Sequence, residues 1–225
     1  MNITAGLALF DLDGTLVDSA PDIADAVDIA LVACGRAAVG ETVVRGLIGN
    51  GAMRLIHRAL TGRHDGDADA ALHAQAYQYF VDAYQARVFK RTALFPGVEE
   101  VLSRLATAGW ALGCVTNKPA RFTTPLLSAA GIAHHFAVIL SGDSLPTKKP
   151  APEPILHAAA TLGMALPQVV MIGDSLADLH AAHNAGVRAV CVSFGYHGGV
   201  DLAGEGAEHV IDDMRALLAL LNVSA

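Results

Sequence analysis

The amino-acid sequence predicts an α/β fold: a doubly wound parallel sheet with a Rossmann-type core, into which one all-helical domain is inserted. From about residue 95 onward, short apolar runs alternate with helix-like stretches of ten or more residues. That alternation is typical of a parallel sheet with helices on both faces. Between residues 19 and 91, in contrast, no strand-like run occurs, which indicates a segment built of helices alone.

The first strand is predicted at residues 7–10, an apolar run that ends in aspartates and a glycine turn. Later strands are predicted where similar runs recur, at residues 111–115, 137–140, 169–172 and 189–192. Helix ends are marked by the glycines that follow alanine- or leucine-rich stretches, namely Gly109, Gly131, Gly163 and Gly186.

The inserted segment reads as helices around residues 21–33, 41–47, 52–60 and 67–87. Ser19 and Pro21 suit the start of the first of these helices, and Pro96-Gly97 is a turn signal beyond the last. We therefore predict a core domain formed by residues 1–18 and 92–225, which contains the sheet, and a helical domain formed by residues 19–91.

Composition excludes several classes of protein. Of 225 residues, 53% are hydrophobic and 16% charged, which excludes a disordered acidic chain. A net charge of −7 disfavours nucleic acid as a partner. No apolar run approaches the roughly 18 residues of a membrane span, and no secretion signal is visible at the amino terminus. The odd number of cysteines, three, indicates reduced thiols, so we expect a cytoplasmic protein.

Polar residues follow the predicted strands where their carboxyl ends meet, the edge at which open parallel sheets bind ligands. Four carboxylates placed together repel one another unless cations lie among them, so a divalent metal and a lysine are implied. Oxygen ligands favour Mg²⁺ over zinc. With one magnesium ion and one lysine the charge stays negative, and a phosphate monoester would add about two more negative charges near pH 7. We therefore expect one carboxyl to be protonated and to act as an acid. The polar residues that we expect at this edge are Asp11, Asp13, Thr116, Asn117, Lys149, Asp174 and Asp178.

The motif Asp-Leu-Asp-Gly-Thr-Leu-Val-Asp-Ser at residues 11–19 resembles the signature of the haloacid dehalogenase-like (HAD) superfamily. The segments at 115–119, 149–150 and 173–178 resemble its second, third and fourth motifs, in the same order and at similar spacing. The helical insertion resembles the superfamily's helical cap. Three stretches, at 49–51, 116–119 and 194–196, also resemble bacterial phosphoglycolate phosphatases.

The resemblance implies that Asp11 is the nucleophile that forms an aspartyl-phosphate. It implies that Asp13 protonates the leaving alkoxide and later activates water. Thr116 and the backbone amides around Asn117 would bind the phosphoryl oxygens, and Lys149 would neutralise charge on both nucleophile and phosphate.

The resemblance also implies a Mg²⁺ site formed by Asp11, the backbone carbonyl of Asp13 and Asp174. Asp178 would be either a further metal residue or one that orients Lys149 or a ligand water. Asp13 separates phosphatases from relatives that cleave carbon–halogen bonds, which lack this second aspartate.

Candidate specificity residues in the helical cap are Asn50 and Gly51, which also suit a plain turn, and Arg45, which could bind a substrate carboxylate. Arg54 could bind a substrate carboxylate in the same way, although an exposed arginine on a helix is usually solvated, as either of these two could be. Lys148 is expected to be solvated. His134-His135 has no carboxylate at metal-ligand spacing in the sequence, so we interpret it as a connector. The tyrosines and phenylalanine at 77–84 are expected to pack the cap.

We predict a magnesium-dependent phosphatase acting on a small phosphorylated metabolite, with 2-phosphoglycolate as the expected substrate. The alternatives are a phosphosugar phosphatase, a phosphomutase or a catalytically silent binding module. We expect a monomer or homodimer with neither a nucleic acid nor a membrane as partner.

Overall fold

The computed structural model describes residues 5–223. Its strands, in chain order, are β1 (Leu7–Phe10), β2 (Val17–Asp18), β3 (Ala93–Leu94), β4 (Ala111–Val115), β5 (Val138–Leu140), β6 (Val169–Gly173), β7 (Arg188–Val192) and β8 (His209–Ile211). Its α-helices are α1 (Ala20–Ala33), α2 (Glu41–Arg45), α3 (Ala52–Thr61), α4 (Ala70–Gln85), α5 (Val98–Thr107), α6 (Ala120–Ala129), α7 (Glu153–Thr161), α8 (Leu176–Ala185) and α9 (Ala216–Leu220).

Six strands form one parallel sheet in the order β5-β4-β1-β6-β7-β8. Alternate side chains of β1 point to opposite faces, as strand geometry requires. Ala8 and Phe10 pack with α5, α6 and α9, whereas Leu7 and Leu9 pack with α7 and α8. Helices therefore cover both faces, and the predicted doubly wound parallel sheet is confirmed.

Helices α1 to α4 form the cap, whose own core contains Ile23, Val27, Phe80 and Tyr84. Phe122 of α6 is buried in the same cluster, so the cap packs against the rest of the protein through that side chain. No helix among residues 5–223 is long and apolar enough to cross a bilayer.

Two short strands join the cap to the sheet domain. β2 and β3 pair antiparallel, Val17 with Leu94 and Asp18 with Ala93. The predicted boundaries at 18/19 and 91/92 lie beside this pair, and they stay predictions.

A buried carboxylate holds the segment at residues 90–92, which leads from the cap back to the sheet domain. The side chain of Asp22, on α1, accepts hydrogen bonds from the backbone amides of Lys90, Arg91 and Thr92. It also accepts one from the Thr92 hydroxyl at 2.7 Å.

Several boundaries differ from the prediction for local reasons. α4 begins at Ala70 because the Asp69 side chain accepts hydrogen bonds from the amides of Ala71 and Leu72, which ends the preceding loop. The strands β2, β3 and β8 were not predicted. The first two contain two residues each, and β8 is exposed at two of its three positions, so no apolar run marks it.

Candidate active site

The three central strands of the sheet end on polar residues. Because β4, β1 and β6 are neighbours and run parallel, Thr116, Asp11 and Asp174 follow them at one edge. The Asp11 amide donates to the Ile172 carbonyl oxygen at 2.9 Å. Strand pairing thus fixes the backbone of Asp11 at the edge where ligands bind.

Three carboxyl groups meet at this edge. Asp11, Asp174 and Asp178 can each place one carboxylate oxygen within 4.8 Å of the other two. Burial raises the pKa of Asp11 to about 6, a shift that the Lys149 ammonium opposes and the Asp178 carboxylate reinforces. Burial and the charges of Asp178 and Asp11 hold the pKa of Asp174 well above its usual value. A cation at this cluster would compete with protons.

Lys149 lies among these carboxylates. Its Nζ is 2.9 Å from Asp11 Oδ1 and donates to Asp178 Oδ1 at 2.6 Å and to the Val115 carbonyl oxygen at 2.6 Å. The second oxygen of Asp178 accepts from the amide and hydroxyl of Ser175, which caps α8. Asp178 therefore holds Lys149 in place, which favours the orienting role over direct metal ligation.

Asp174 is held from two sides. Its oxygens accept hydrogen bonds from the Thr15 hydroxyl at 3.0 Å and from the Tyr196 amide at 2.5 Å. Two glycines, Gly14 and Gly195, leave space for Asp174. A Cβ added at either glycine would collide with the Asp174 side chain, and Gly14 also has a φ of +88°. At these two positions the backbone lies so close to Asp174 that only glycine fits.

The cluster fits a hard divalent cation. Asp11 Oδ1 is buried and, within residues 5–223, forms no hydrogen bond, although Lys149 lies at ion-pair distance. A buried carboxylate oxygen that has one ammonium group at ion-pair distance but no well-aligned hydrogen bond keeps lone pairs for a metal ion. The three side chains offer only oxygen atoms, the donors that Mg²⁺ prefers.

Asp13 faces a second buried lysine, which sequence reasoning left without a role. Lys118 Nζ donates to both carboxylate oxygens of Asp13 at 3.0 Å and to the Tyr84 hydroxyl at 2.8 Å. Ser19 Oγ donates to Asp13 Oδ1 at 2.5 Å. Although burial opposes the charged form, the Asp13 carboxylate and Tyr84 hold the pKa of Lys118 above its ordinary value.

The charge count made from the sequence omitted this second ammonium. With Lys118 and Lys149 both charged, four carboxylates are balanced by two ammonium groups and one dication. Charge balance alone therefore does not require a protonated carboxyl in the free site. The expectation of one protonated carboxyl counted a bound phosphate monoester, whose roughly two negative charges make the site negative again, and it stays a prediction. The position of Lys118, directly after Thr116-Asn117 at a strand end, is the signal that could have revealed it. Tyr84 was expected only to pack the cap.

Thr116 and Asn117 follow strand β4 and line the same cavity as Asp13. The Thr116 hydroxyl accepts from the Lys118 amide at 3.2 Å. Asn117 Nδ2 donates to the Lys149 carbonyl oxygen at 2.9 Å and to the carbonyl oxygen of Gly49, in the cap, at 3.4 Å. Asn117 Oδ1 is buried and has no hydrogen-bond partner among the residues described.

One cavity unites the sheet edge with the cap. Asp11, Asp13, Thr116, Asn117 and Gly51 line it together, with about 500 Å³ of empty space including its mouth. The cap contributes apolar walls at Ile23, Ile48, Leu55, Phe80 and Tyr84.

The structure does not bring Arg45 or Asn50 to this cavity. Arg45 pairs with Asp18 at 2.8 Å and Glu41 at 2.9 Å, and Asn50 Oδ1 accepts from Arg58 at 2.9 Å. Neither side chain is among the residues that line the cavity, so a substrate role for them has no support from this geometry.

The side chains next to Asn50 are also engaged. Arg54 pairs with Asp67. Lys148, exposed as expected, donates to the Asn50 carbonyl oxygen.

No carboxylate lies at metal-ligand spacing from His134-His135 in the sequence, but the fold brings one beside them. Folding brings Glu99 of α5 beside these histidines, and His135 Nε2 lies 3.2 Å from Glu99 Oε1. Sequence spacing concealed the contact because 36 positions separate the two residues.

Known proteins are similar to this chain along most of its length. Residues 8–192 match the family model described as haloacid dehalogenase-like hydrolase. A phosphoglycolate phosphatase of Nitrosococcus oceani is 44% identical over 97% of this chain and 97% of its own length. One of Pseudomonas putida is 45% identical over 94% of this chain and 78% of its own.

A solved structure gives the same result at the level of the fold. The crystal structure of a predicted phosphoglycolate phosphatase from Haemophilus somnus superposes with a TM-score of 0.90 at 34% identity, covering 96% of this chain and 98% of that one.

Proposed function

The chain belongs to the haloacid dehalogenase-like hydrolase family, and from that premise we propose that it is a Mg²⁺-dependent phosphatase that hydrolyses 2-phosphoglycolate to glycolate and phosphate. One observation supports it above all. Two carboxylates two residues apart, Asp11 and Asp13, face one cavity, each with its own lysine. The names of the relatives support the choice of substrate.

Asp11 and Asp13 have different roles in hydrolysis. Asp11 attacks phosphorus and forms an aspartyl-phosphate while the ester bond breaks. Asp13 gives its proton to the departing oxygen, then takes one from the water that attacks the aspartyl-phosphate. Asp11 is regenerated and phosphate leaves.

The other residues stabilise charge and orient these groups. Lys149 neutralises negative charge on Asp11 and on the phosphate, and Thr116 and the backbone amides around Asn117 would bind the phosphoryl oxygens. Asp11, Asp174 and the Asp13 carbonyl would hold Mg²⁺, with Asp178 positioning Lys149. When bound, Mg²⁺ supplies positive charge that offsets the negative charge of the phosphoryl oxygens.

The test is a panel of phosphate esters assayed for free phosphate with and without Mg²⁺. We expect the highest specificity constant for 2-phosphoglycolate, dependence on Mg²⁺, and no turnover by Asp11→Asn. The exposed Asp212→Asn is the matched control and should keep full activity. Turnover by Asp11→Asn comparable with that of the control would overturn the nucleophile assignment.

The same panel decides between the alternatives. A preference for sugar phosphates would indicate a phosphosugar phosphatase, and isomerised sugar phosphate without free phosphate would indicate a phosphomutase. Binding without turnover of any ester would indicate a silent binding module.

We further propose a cytoplasmic location, supported by three free cysteines, Cys34, Cys114 and Cys191. For the assembly we propose a monomer or homodimer, which sedimentation of the purified protein would distinguish.

A further inference from the structure

Lys118 is a buried cation that none of the proposed steps uses. The residue is 6% exposed. Among the residues that the structure describes, 5–223, it is the one basic residue that lines the cavity. Lys149 contacts Asp11 from outside that lining. Lys118 instead lies beside Asp13, the residue proposed to protonate the leaving group.

We propose that the Lys118 ammonium binds the carboxylate that the substrate bears beside its phosphate, and so selects phosphate esters of short hydroxy acids. This inference rests on the proposed phosphatase function and names the residue that would set its substrate class.

The geometry of Asp13 places the substrate carboxylate near Lys118. The ester oxygen must lie within hydrogen-bond reach of Asp13 to receive its proton. In 2-phosphoglycolate, one methylene group separates that oxygen from the carboxylate carbon. Since Lys118 Nζ is 3.0 Å from Asp13, a carboxylate one methylene away from the ester oxygen reaches the same ammonium.

Lys118 has donor capacity for such a contact. An ammonium group has three N–H donors. The Tyr84 hydroxyl accepts one at 2.8 Å, and the two oxygens of Asp13, each at 3.0 Å, can share a second. The third donor remains for a ligand in the cavity.

The surroundings strengthen the contact. Ile23, Leu55, Phe80 and Phe122 line the same cavity and are buried. Charges attract one another more strongly beside apolar walls than in water. Tyr84, on cap helix α4, positions Lys118, so closing the cap over a substrate would enclose this ion pair.

A purely supporting role toward Asp13 makes a different prediction. If Lys118 acts only on Asp13, its loss slows the hydrolysis of every ester by the same factor. If it binds the substrate carboxylate, its loss slows only esters that have one. Two esters of equal shape distinguish these roles: 2-phosphoglycolate and its neutral amide, 2-phosphoglycolamide.

The experiment compares the kcat/KM of both esters for the wild type and Lys118→Met. We expect the wild-type preference for the acid over the amide to fall about tenfold to a hundredfold in Lys118→Met, the size of one charge-assisted hydrogen bond. Tyr84→Phe should lower the preference in the same direction by a smaller factor, and it guards against misfolding of Lys118→Met, which thermal melting would reveal. Lys90→Met, an exposed lysine, is the matched control and should keep the wild-type preference.

Equal loss of both activities in Lys118→Met, or an unchanged preference, would overturn the inference and leave the phosphatase function standing. If Lys118→Met misfolds, an unchanged preference in Tyr84→Phe would overturn it. A wild type inactive toward both esters would overturn the proposed function and the inference together.

Discussion

Replacing Asp22 by alanine should destabilise the junction between the cap and the sheet domain. Asp22 is fully buried, and its carboxylate accepts hydrogen bonds from three successive backbone amides and one hydroxyl. Thr92 is buried, so its amide and hydroxyl would lose their acceptor where water has little access. The amides of Lys90 and Arg91 belong to exposed residues and can bind water instead.

The size of the effect follows from the two Thr92 donors. Each buried donor left without an acceptor costs about 1–3 kcal/mol, so Asp22→Ala should lower the free energy of unfolding by about 2–6 kcal/mol. Asp22→Asn keeps one oxygen but loses the charge, and should lose roughly half as much. Asp25→Ala on the same helix is the matched control: it removes an exposed ion pair with Arg91 at 2.9 Å and should cost about 1 kcal/mol or less.

Urea unfolding would measure these differences, followed by circular dichroism of the helices and by fluorescence of Trp110, the one tryptophan. The expected order of destabilisation is Asp22→Ala, then Asp22→Asn, then Asp25→Ala. If Asp22→Ala proved no less stable than Asp25→Ala, the hydrogen bonds to Thr92 would not stabilise the junction and the reasoning would be refuted.

Two further predictions concern the metal site. Gly14→Ala should weaken Mg²⁺ binding, measured calorimetrically, by about tenfold or more, because φ is +88° and the added methyl group meets the Asp174 carboxylate. Gly62→Ala, at φ +67° with open space around it, should leave Mg²⁺ affinity unchanged; equal affinities in both variants would contradict the prediction. Because burial raises the pKa of Asp11 to about 6 and that of Asp174 well above its usual value, protons compete with the cation at low pH. Mg²⁺ affinity should therefore rise between about pH 5 and 7 with release of protons, and calorimetry in buffers of different ionisation enthalpy would detect that release. Affinity independent of pH would count against these shifts.

Much of the fold was predictable because its elements leave periodic traces. The strand at Leu7–Phe10 is a continuous apolar run since both of its faces are buried. The glycine at 186 ends α8 in a left-handed conformation, as predicted from its position. The strand His209–Ile211 left no trace, because it lies at the sheet edge and only Ile211 is buried.

The site was predictable where it follows strand ends and unpredictable where distant parts of the chain meet. Asp11, Thr116 and Asp174 lie at one edge of the sheet, as expected, because parallel strands bring their carboxyl ends together. The contact of Lys118 with Tyr84 depends on how the cap packs, which no local pattern records. Arg45 was proposed from its charge and its position near residues 49–51, and in the folded protein it pairs with Asp18 and Glu41.

Detection of a phosphoryl group on Asp11 tests the central claim most directly. Asp13→Asn cannot activate water, so with p-nitrophenyl phosphate, whose leaving group needs no acid, the phosphorylated protein should accumulate. After acid quenching, mass spectrometry should find one phosphoryl group, located on Asp11 and absent from Asp11→Asn. A stoichiometric burst of p-nitrophenol with no phosphoryl group on Asp11 would contradict the account.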